Sequence, residues 1–165
     1  VDIPWIGTMS FDTAGRTMMG ITSTSVVEMV ESLPDPPVAY GANCGVGASD
    51  LLRTVLGFRN AKFPIVAKGN AGIPKFVDGK IHYDGTPELM AKYAVMAFNC
   101  GAKIIGGCCG TTPKHIKAMR SGLEKCNEPI TPDLNDIVAN IGAFSSKSDG
   151  TDGVVQRKRI RRGNR

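Results

Sequence analysis

KIIGGCCGTTP, residues 103–113, joins a short apolar run to a glycine-rich loop and then to a Thr-Pro pair. The apolar run is typical of a buried strand. Thr followed by Pro is typical of a helix N-terminus, because Thr accepts a hydrogen bond from an orphan N–H group and Pro has no N–H to leave unpaired. The segment therefore predicts one βα unit, with its helix running to about Glu124.

The same alternation precedes this unit three times. Predicted strands cover 4–10, 38–42 and 63–68, and predicted helices cover 23–33, 49–56 and 86–100. Successive βα units predict parallel strands with helices packed outside them, that is, an α/β fold. Two architectures fit: a small doubly wound sheet, or half of a (β/α)₈ barrel, which needs about 250 residues when complete.

The charge of the chain is concentrated at one end. Residues 145–165 carry seven basic and two acidic side chains, a net charge of +5, while the other 144 residues carry thirteen of each sign. The segment is also poor in apolar residues, so it cannot bury enough surface to become ordered. We predict a folded domain over 1–144 and a disordered basic tail over 145–165, with no nucleic-acid partner expected.

Composition indicates a globular protein outside the membrane. Apolar residues make up 42% and charged residues 21%, with no apolar run near the roughly 20 residues that span a bilayer. The first six residues lack the pattern of a signal peptide, so we expect a cytoplasmic location. Five cysteines, an odd number, argue against a disulfide framework.

Three cysteines lie in glycine-rich loops that follow predicted strands. Cys44 follows the second strand, and Cys108 and Cys109 follow the fourth. The carboxyl ends of parallel strands are where active sites of α/β proteins lie. Each loop also leads into a helix N-terminus, whose partial positive charge lowers a thiol pKa. Three thiolates on one face suit Zn²⁺ and leave a fourth position for substrate, but core packing or a redox pair remain alternatives on spacing alone.

Two motifs carry a family resemblance. GANC at 41–44 and GGCCGT at 106–111 together resemble the signature of the homocysteine S-methyltransferase family, which includes betaine–homocysteine methyltransferases and the homocysteine module of cobalamin-dependent methionine synthase. SFDTAGRTMMG at 10–20 is similar to the loop after the fifth strand of these enzymes. The resemblance extends from about residue 4 to residue 123.

The resemblance implies a function and a ligand set. Cys44, Cys108 and Cys109 would hold Zn²⁺, and the sulfur of homocysteine would take the fourth position. The implied reaction is methyl transfer to homocysteine to form methionine, with betaine as donor. Methylcobalamin or S-methylmethionine is the alternative donor, and a non-catalytic zinc or thiol-redox fragment is the alternative class.

The resemblance covers only the C-terminal half of the family barrel. The first four βα units, with an Asp-Gly segment and an acidic residue used around the homocysteine amino group, have no counterpart in these residues. We therefore expect open sheet edges, an aggregation liability, and either a homo-oligomer or a missing N-terminal half as partner. Activity of the 165 residues alone is not expected.

The remaining polar and aromatic residues receive simpler interpretations. Asn43 and Asn70 are candidate substrate-binding residues because their amides lie in or beside loops after strands, although a loop-capping role competes. Cys100 and Cys126 are expected to pack as small apolar residues. His115 is expected to face outward, His82 to lie at the surface beside an Asp78-Gly79 hairpin turn, and Trp5 to lie in the core.

Overall fold

The computed structural model describes residues 3–126 and 129–151. Strands and helices alternate along most of this length, with a hairpin inserted before the third helix. In chain order the elements are β1 (Ile6–Met9), α1 (Ser23–Glu31), β2 (Ala39–Cys44), α2 (Ala48–Leu56), β3 (Ile65–Gly69), β4 (Pro74–Val77), β5 (Lys80–Tyr83), α3 (Pro87–Asn99), β6 (Ala102–Gly107), α4 (Pro113–Glu124) and α5 (Leu134–Asn140).

Four strands form one parallel sheet in the order β1-β2-β3-β6. The register pairs Cys44 with Gly69 and Gly69 with Gly107, so β2, β3 and β6 end at the same edge. Their following loops therefore meet on one face of the domain. The α/β fold with a parallel sheet is confirmed, and the ends of the four predicted βα units differ from the observed ones by at most two residues.

Helix α3 shows why these segments become helices. The Thr86 side chain accepts a hydrogen bond from the Leu89 N–H, and Pro87 occupies the first turn, as predicted. Buried side chains then recur at helical spacing, at Met90, Tyr93, Ala94 and Ala97, which places one apolar stripe against the sheet. In residues 3–126 and 129–151, no helix has the length and apolar character that crossing a membrane requires.

The core is packed around aromatic side chains from the sheet and the loop after α2. Tyr40 of β2 meets Phe58 edge to face, with ring centroids 5.9 Å apart, and Phe11 contacts Phe58 in the same way. All three side chains are buried. These contacts pack β2 into the core, and β2 ends in Cys44.

The predicted hairpin turn is confirmed. Strands β4 and β5 pair antiparallel on either side of Asp78 and Gly79, which have φ values of +49° and +76°. Two consecutive positive φ values are typical of a tight type I′ turn, in which Asp-Gly is favoured. The hairpin leaves the sheet after β3, at the edge that carries the thiol loops.

Trp5 corrects one prediction. We expected it in the core, but 40% of its surface is exposed. It precedes β1, which has β2 on one side and, among the described residues, no strand on the other. The indole therefore has only one side against which to pack.

The segment after α4 contains structure that the sequence analysis did not foresee. Helix α5 begins at an Asp133 cap, whose carboxylate accepts from the Asp136 N–H. Beyond it, Ser145 donates its N–H to buried Asp50 of α2, and Arg53 donates to the carbonyl of Ser146. The first residues of the segment predicted to be disordered, 145–151, thus lie against the domain, while 152–165 lie outside the described residues.

Candidate metal centre

Cys44 is held in a strained backbone conformation at the end of β2. Its φ is +59°, in the left-handed region that residues with a side chain rarely adopt, and Gly45 continues the turn with φ +74°. Strained residues of this kind cluster at functional sites, where the surrounding structure holds them. The turn directs the chain from β2 toward α2 and leaves the thiol at the edge of the sheet.

The loop after β6 requires glycine on both sides of the cysteine pair. A Cβ at Gly107 would lie 2.2 Å from Thr111 Oγ1, and a Cβ at Gly110 would lie 2.4 Å from Cγ of Tyr83. Gly110 also has φ +75°. The glycines therefore permit a tight loop that no larger residue would allow.

The two loops bring three sulfur atoms together. Cys44 Sγ lies 3.7 Å from Cys109 Sγ, and Cys108 Sγ lies 4.0 Å from Cys109 Sγ. All three sulfurs are within 4.8 Å of one another. A tetrahedral zinc site with Zn–S bonds of about 2.3 Å has sulfur–sulfur edges of about 3.8 Å, so this donor set fits the ion.

Asn70 ties the two thiol loops to the strand between them. It is 1% exposed and follows β3 directly. Its Nδ2 donates to the carbonyl of Gly45 at 3.0 Å, and its Oδ1 accepts from the Cys109 N–H at 3.1 Å. The amide thus bridges loops from β2 and β6. Substrate binding by Asn70 and by Asn43, which is half-buried in β2, stays a prediction.

The surroundings of the thiols separate their pKa values. The pKa of Cys44 is raised, mainly by burial and then by its hydrogen bond to Cys109. The pKa of Cys109 is lowered, mainly by the hydrogen bond with Cys44 and then by one from the Tyr83 hydroxyl. A lowered pKa is therefore confirmed for Cys109, with local hydrogen bonds as the cause, and wrong for Cys44, where burial dominates.

His115 is the second correction. It is buried rather than facing outward, and both ring nitrogens have partners. Nδ1 accepts from the Thr112 N–H at 2.9 Å, and Nε2 lies 2.9 Å from the carbonyl of Gly85, to which it donates. The Thr-x-x-His spacing at 112–115 matches a helix capping box, which was the available signal for this inward position.

The other cysteines behave as packing residues. Cys100 is buried in the main core cluster, as predicted. Cys126 is half-buried and bonds to Asn99 at 3.9 Å. His82 is exposed on β5, also as predicted. Tyr83, whose side chain lies against Gly110 beside the cysteine pair, has no signal in the polar hairpin sequence that marks it.

Sequence comparisons with known proteins agree with the resemblance. A sequence profile described as homocysteine S-methyltransferase matches residues 1–123. A methionine synthase of Mycobacterium leprae (strain TN) is 28% identical over 133 residues, which are 79% of this chain and 11% of that protein. The oxidized form of the homocysteine methyltransferase MmuM from Escherichia coli matches 71% of this chain and 35% of its own, with 24% identity and a TM-score of 0.49. The chain thus spans well under half the length of either protein. Because the profile covers most of its residues, the chain belongs to the homocysteine S-methyltransferase family.

Proposed function

We propose that this chain carries the zinc-binding half of an enzyme that transfers a methyl group to homocysteine and forms methionine. Cys44, Cys108 and Cys109 are the proposed ligands of Zn²⁺. The observation that supports the assignment is the spacing of their sulfurs, all within 4.8 Å of one another. Three protein ligands leave one tetrahedral position for a substrate sulfur, as in catalytic zinc sites.

Bound Zn²⁺ would lower the pKa of the homocysteine thiol so that the thiolate exists at neutral pH. The chain itself has two tasks. Its three cysteine thiolates donate electron density, which keeps an added sulfur nucleophilic. The Asn70 amide keeps the two loops in register, because it bonds to the backbone of both.

The reaction needs a methyl donor whose leaving group accepts an electron pair. We propose betaine: the homocysteine sulfur forms a bond to the methyl carbon, and the electrons of the broken C–N bond stay on nitrogen. Methylcobalamin or S-methylmethionine is the alternative donor for the same acceptor. The family membership of the chain supports the acceptor and leaves the donor as the finer part of the proposal.

The four βα units are proposed as one half of a (β/α)₈ barrel. β1 and β6 are the edges of the described sheet, and each would pair with a further strand in a closed barrel. Much of the homocysteine pocket would then come from a partner half. The relatives are much longer than the matched region, which is consistent with this proposal.

The experiment compares metal content and ligation in the full chain and in three variants. We expect about one zinc per chain, lost in Cys44→Ser and in Cys109→Ser and retained in Cys126→Ser, the matched control. Addition of homocysteine should raise the zinc–sulfur coordination number measured by X-ray absorption from three to four. Zinc retained in both Cys44→Ser and Cys109→Ser would refute the site.

A non-catalytic thiol-redox role is the second candidate, favoured by the short distance between the Cys108 and Cys109 sulfurs, 4.0 Å. A disulfide between these two residues that forms and is reduced reversibly in chain free of metal, with no zinc bound by the reduced chain, would support it. Stoichiometric zinc in the reduced chain would exclude it.

A further inference from the structure

We propose that residues 142–150 form a strap that ties the start of α2 to the loop after β1 and so holds the Cys44 turn between them. The Cys44 turn is residues 44–47, and the loop after β1 is residues 10–22. The proposal goes beyond the proposed function and does not depend on zinc, because it concerns only how the chain holds the Cys44 thiol. Four sets of contacts carry it, from the strap to the turn.

The first set anchors the strap to α2 through a buried ion pair. Asp50 and Arg53 are 7% and 8% exposed, and the guanidinium lies 2.7 Å from one carboxylate oxygen. The other oxygen of Asp50 accepts from the Ser145 N–H at 3.0 Å. Arg53 donates to the Ser146 carbonyl at 2.9 Å and lies over the Phe144 ring, 4.4 Å from its centroid. Each member of the pair thus also bonds to the strap, and such charge-assisted bonds are stronger than neutral ones.

The second set gives the strap a defined shape without a helix or a strand. The hydroxyls of Ser146 and Ser148 accept from the N–H groups of Ser148 and Gly150, respectively. The Asp149 carboxylate accepts from the Thr151 N–H at 2.8 Å. Each bond spans two residues, the spacing of the turns that Ser and Asp side chains form with nearby backbone. Small polar side chains, whose abundance predicted disorder, here supply the acceptors that fix the backbone.

The third set joins the end of the strap to the loop after β1. Thr13 and Arg16 exchange two backbone hydrogen bonds, so the chain between them makes a tight turn that contains Gly15. A Cβ at Gly15 would lie 2.4 Å from the carbonyl carbon of Asp149, and a Cβ at Gly150 would lie 2.4 Å from the Gly15 carbonyl oxygen. The strap and the loop therefore pack backbone against backbone, which only glycine permits on both sides.

The fourth set places the Cys44 turn between the two segments that the strap joins. Helix α2 begins at Ala48, directly after the turn, and the carbonyl oxygen of Phe11 lies 3.7 Å from the position of a Cβ at Gly45. Cys44 has a φ of +59°, a conformation that persists in such a residue only where the surrounding structure holds it. Release of the strap would let α2 and the loop move apart and would expose the half-buried Cys44 thiol.

The experiment breaks the strap near each of its ends in the full chain and leaves α2 unchanged. Ser145→Pro removes the N–H that bonds to Asp50, and Ser145→Ala is its matched control because it keeps that N–H. Gly150→Ala places a methyl group against the loop after β1. Gly79→Ala is its matched control, because Gly79 also has a positive φ, +76°, but its Cβ would meet no described atom within 4 Å.

Two rates are measured after a chelator has removed any metal. Mass mapping gives the rate at which iodoacetamide alkylates Cys44 at one fixed pH, and peptide hydrogen exchange gives the rate at which residues 11–20 open. We expect both rates to rise about tenfold in Ser145→Pro and Gly150→Ala, because each variant removes an anchor of the strap and increases local opening. Cys100, which is buried in the core, should stay unmodified in every variant.

If either strap variant leaves the Cys44 alkylation rate or the loop exchange rate at the value of its control, the proposal is overturned. Faster alkylation of Cys44 together with modification of Cys100 would overturn it as well, because the strap would then only stabilise the fold as a whole. Zinc is absent throughout, so the result is independent of whether the chain binds the metal.

Discussion

The cysteine thiols of this protein differ in pKa because their surroundings differ. Cys109 is exposed and receives hydrogen bonds, which stabilise its thiolate, whereas Cys100 is buried among apolar side chains. Burial raises the pKa of Cys100 to about 12. Cys44 lies between these extremes, with a pKa raised by partial burial. Reactivity should follow this order.

Alkylation of the chain after removal of metal tests the order. The thiolate is the reactive form, so a lowered pKa makes Cys109 react with iodoacetamide at a lower pH than Cys44. Cys100, with a pKa of about 12, should stay unmodified below about pH 10 until the chain unfolds. Peptide mass mapping after short exposure at a series of pH values measures this. Modification of Cys44 at or below the pH that modifies Cys109 would contradict the prediction.

The three cysteines of the candidate metal centre were predictable from sequence. The contacts that hold their loops in place were not. Glycine-rich loops after strands are a local signal, and they identified Cys44, Cys108 and Cys109 as a group. The role of Asn70 depends on contacts with residues 25 and 39 positions away, which no local pattern encodes.

Among the elements, the start of helix α4 is joined to the loop before α3. His115 caps the helix through the Thr112 N–H and reaches the Gly85 carbonyl across the loop before α3. Both partners are backbone groups: the bond to the Thr112 N–H is part-buried, and the bond to the Gly85 carbonyl is buried. The histidine therefore fixes the position of α4 relative to the hairpin.

Replacement of His115 by Leu should destabilise the domain. It leaves the buried Gly85 carbonyl and the part-buried Thr112 N–H without partners. A buried group without a partner costs about 1–3 kcal/mol and a part-buried one less, so we expect the free energy of unfolding to fall by about 2–4 kcal/mol. Urea denaturation followed by circular dichroism measures the change. His82→Leu on exposed β5 is the matched control and should shift the value by under about 0.5 kcal/mol. A His115→Leu change as small as this control would show that the two bonds carry little stability.

The elements were more predictable than their connections. Apolar runs and Thr-Pro caps located four strands and four helices, because these signals are local. Helix α5 was missed because it has only seven residues and one buried side chain, Ile137. The docking of 145–151 depends on Asp50 and Arg53, about 95 positions earlier in the chain, so composition alone could not reveal it.

The whole molecule, as described, has two open flanks. β1 and β6 each lack a second neighbour in the described sheet, and large apolar side chains near them are exposed, among them Ile6, Ile104 and Ile116. Open edges flanked by exposed apolar side chains favour association with a partner chain or with a second copy.

We expect the 165-residue chain to self-associate through these flanks when no partner half is present. Ile104→Lys on edge strand β6 should weaken association about tenfold, because an apolar side chain can no longer be buried there. Met18→Lys, at an 87% exposed position in the loop after β1, is the control and should have no effect. Sedimentation velocity at several concentrations gives the association constants. Equal constants for the two variants would place the contact elsewhere.

The bridge from Cys44 to Cys109 spans 65 positions of sequence and passes over β3, which contributes an amide but no thiol. An ion bound there would join the ends of β2 and β6, the two strands on either side of β3. Ion binding would then stabilise the folded state by mass action. Zinc supply would then govern how much of this protein stays folded.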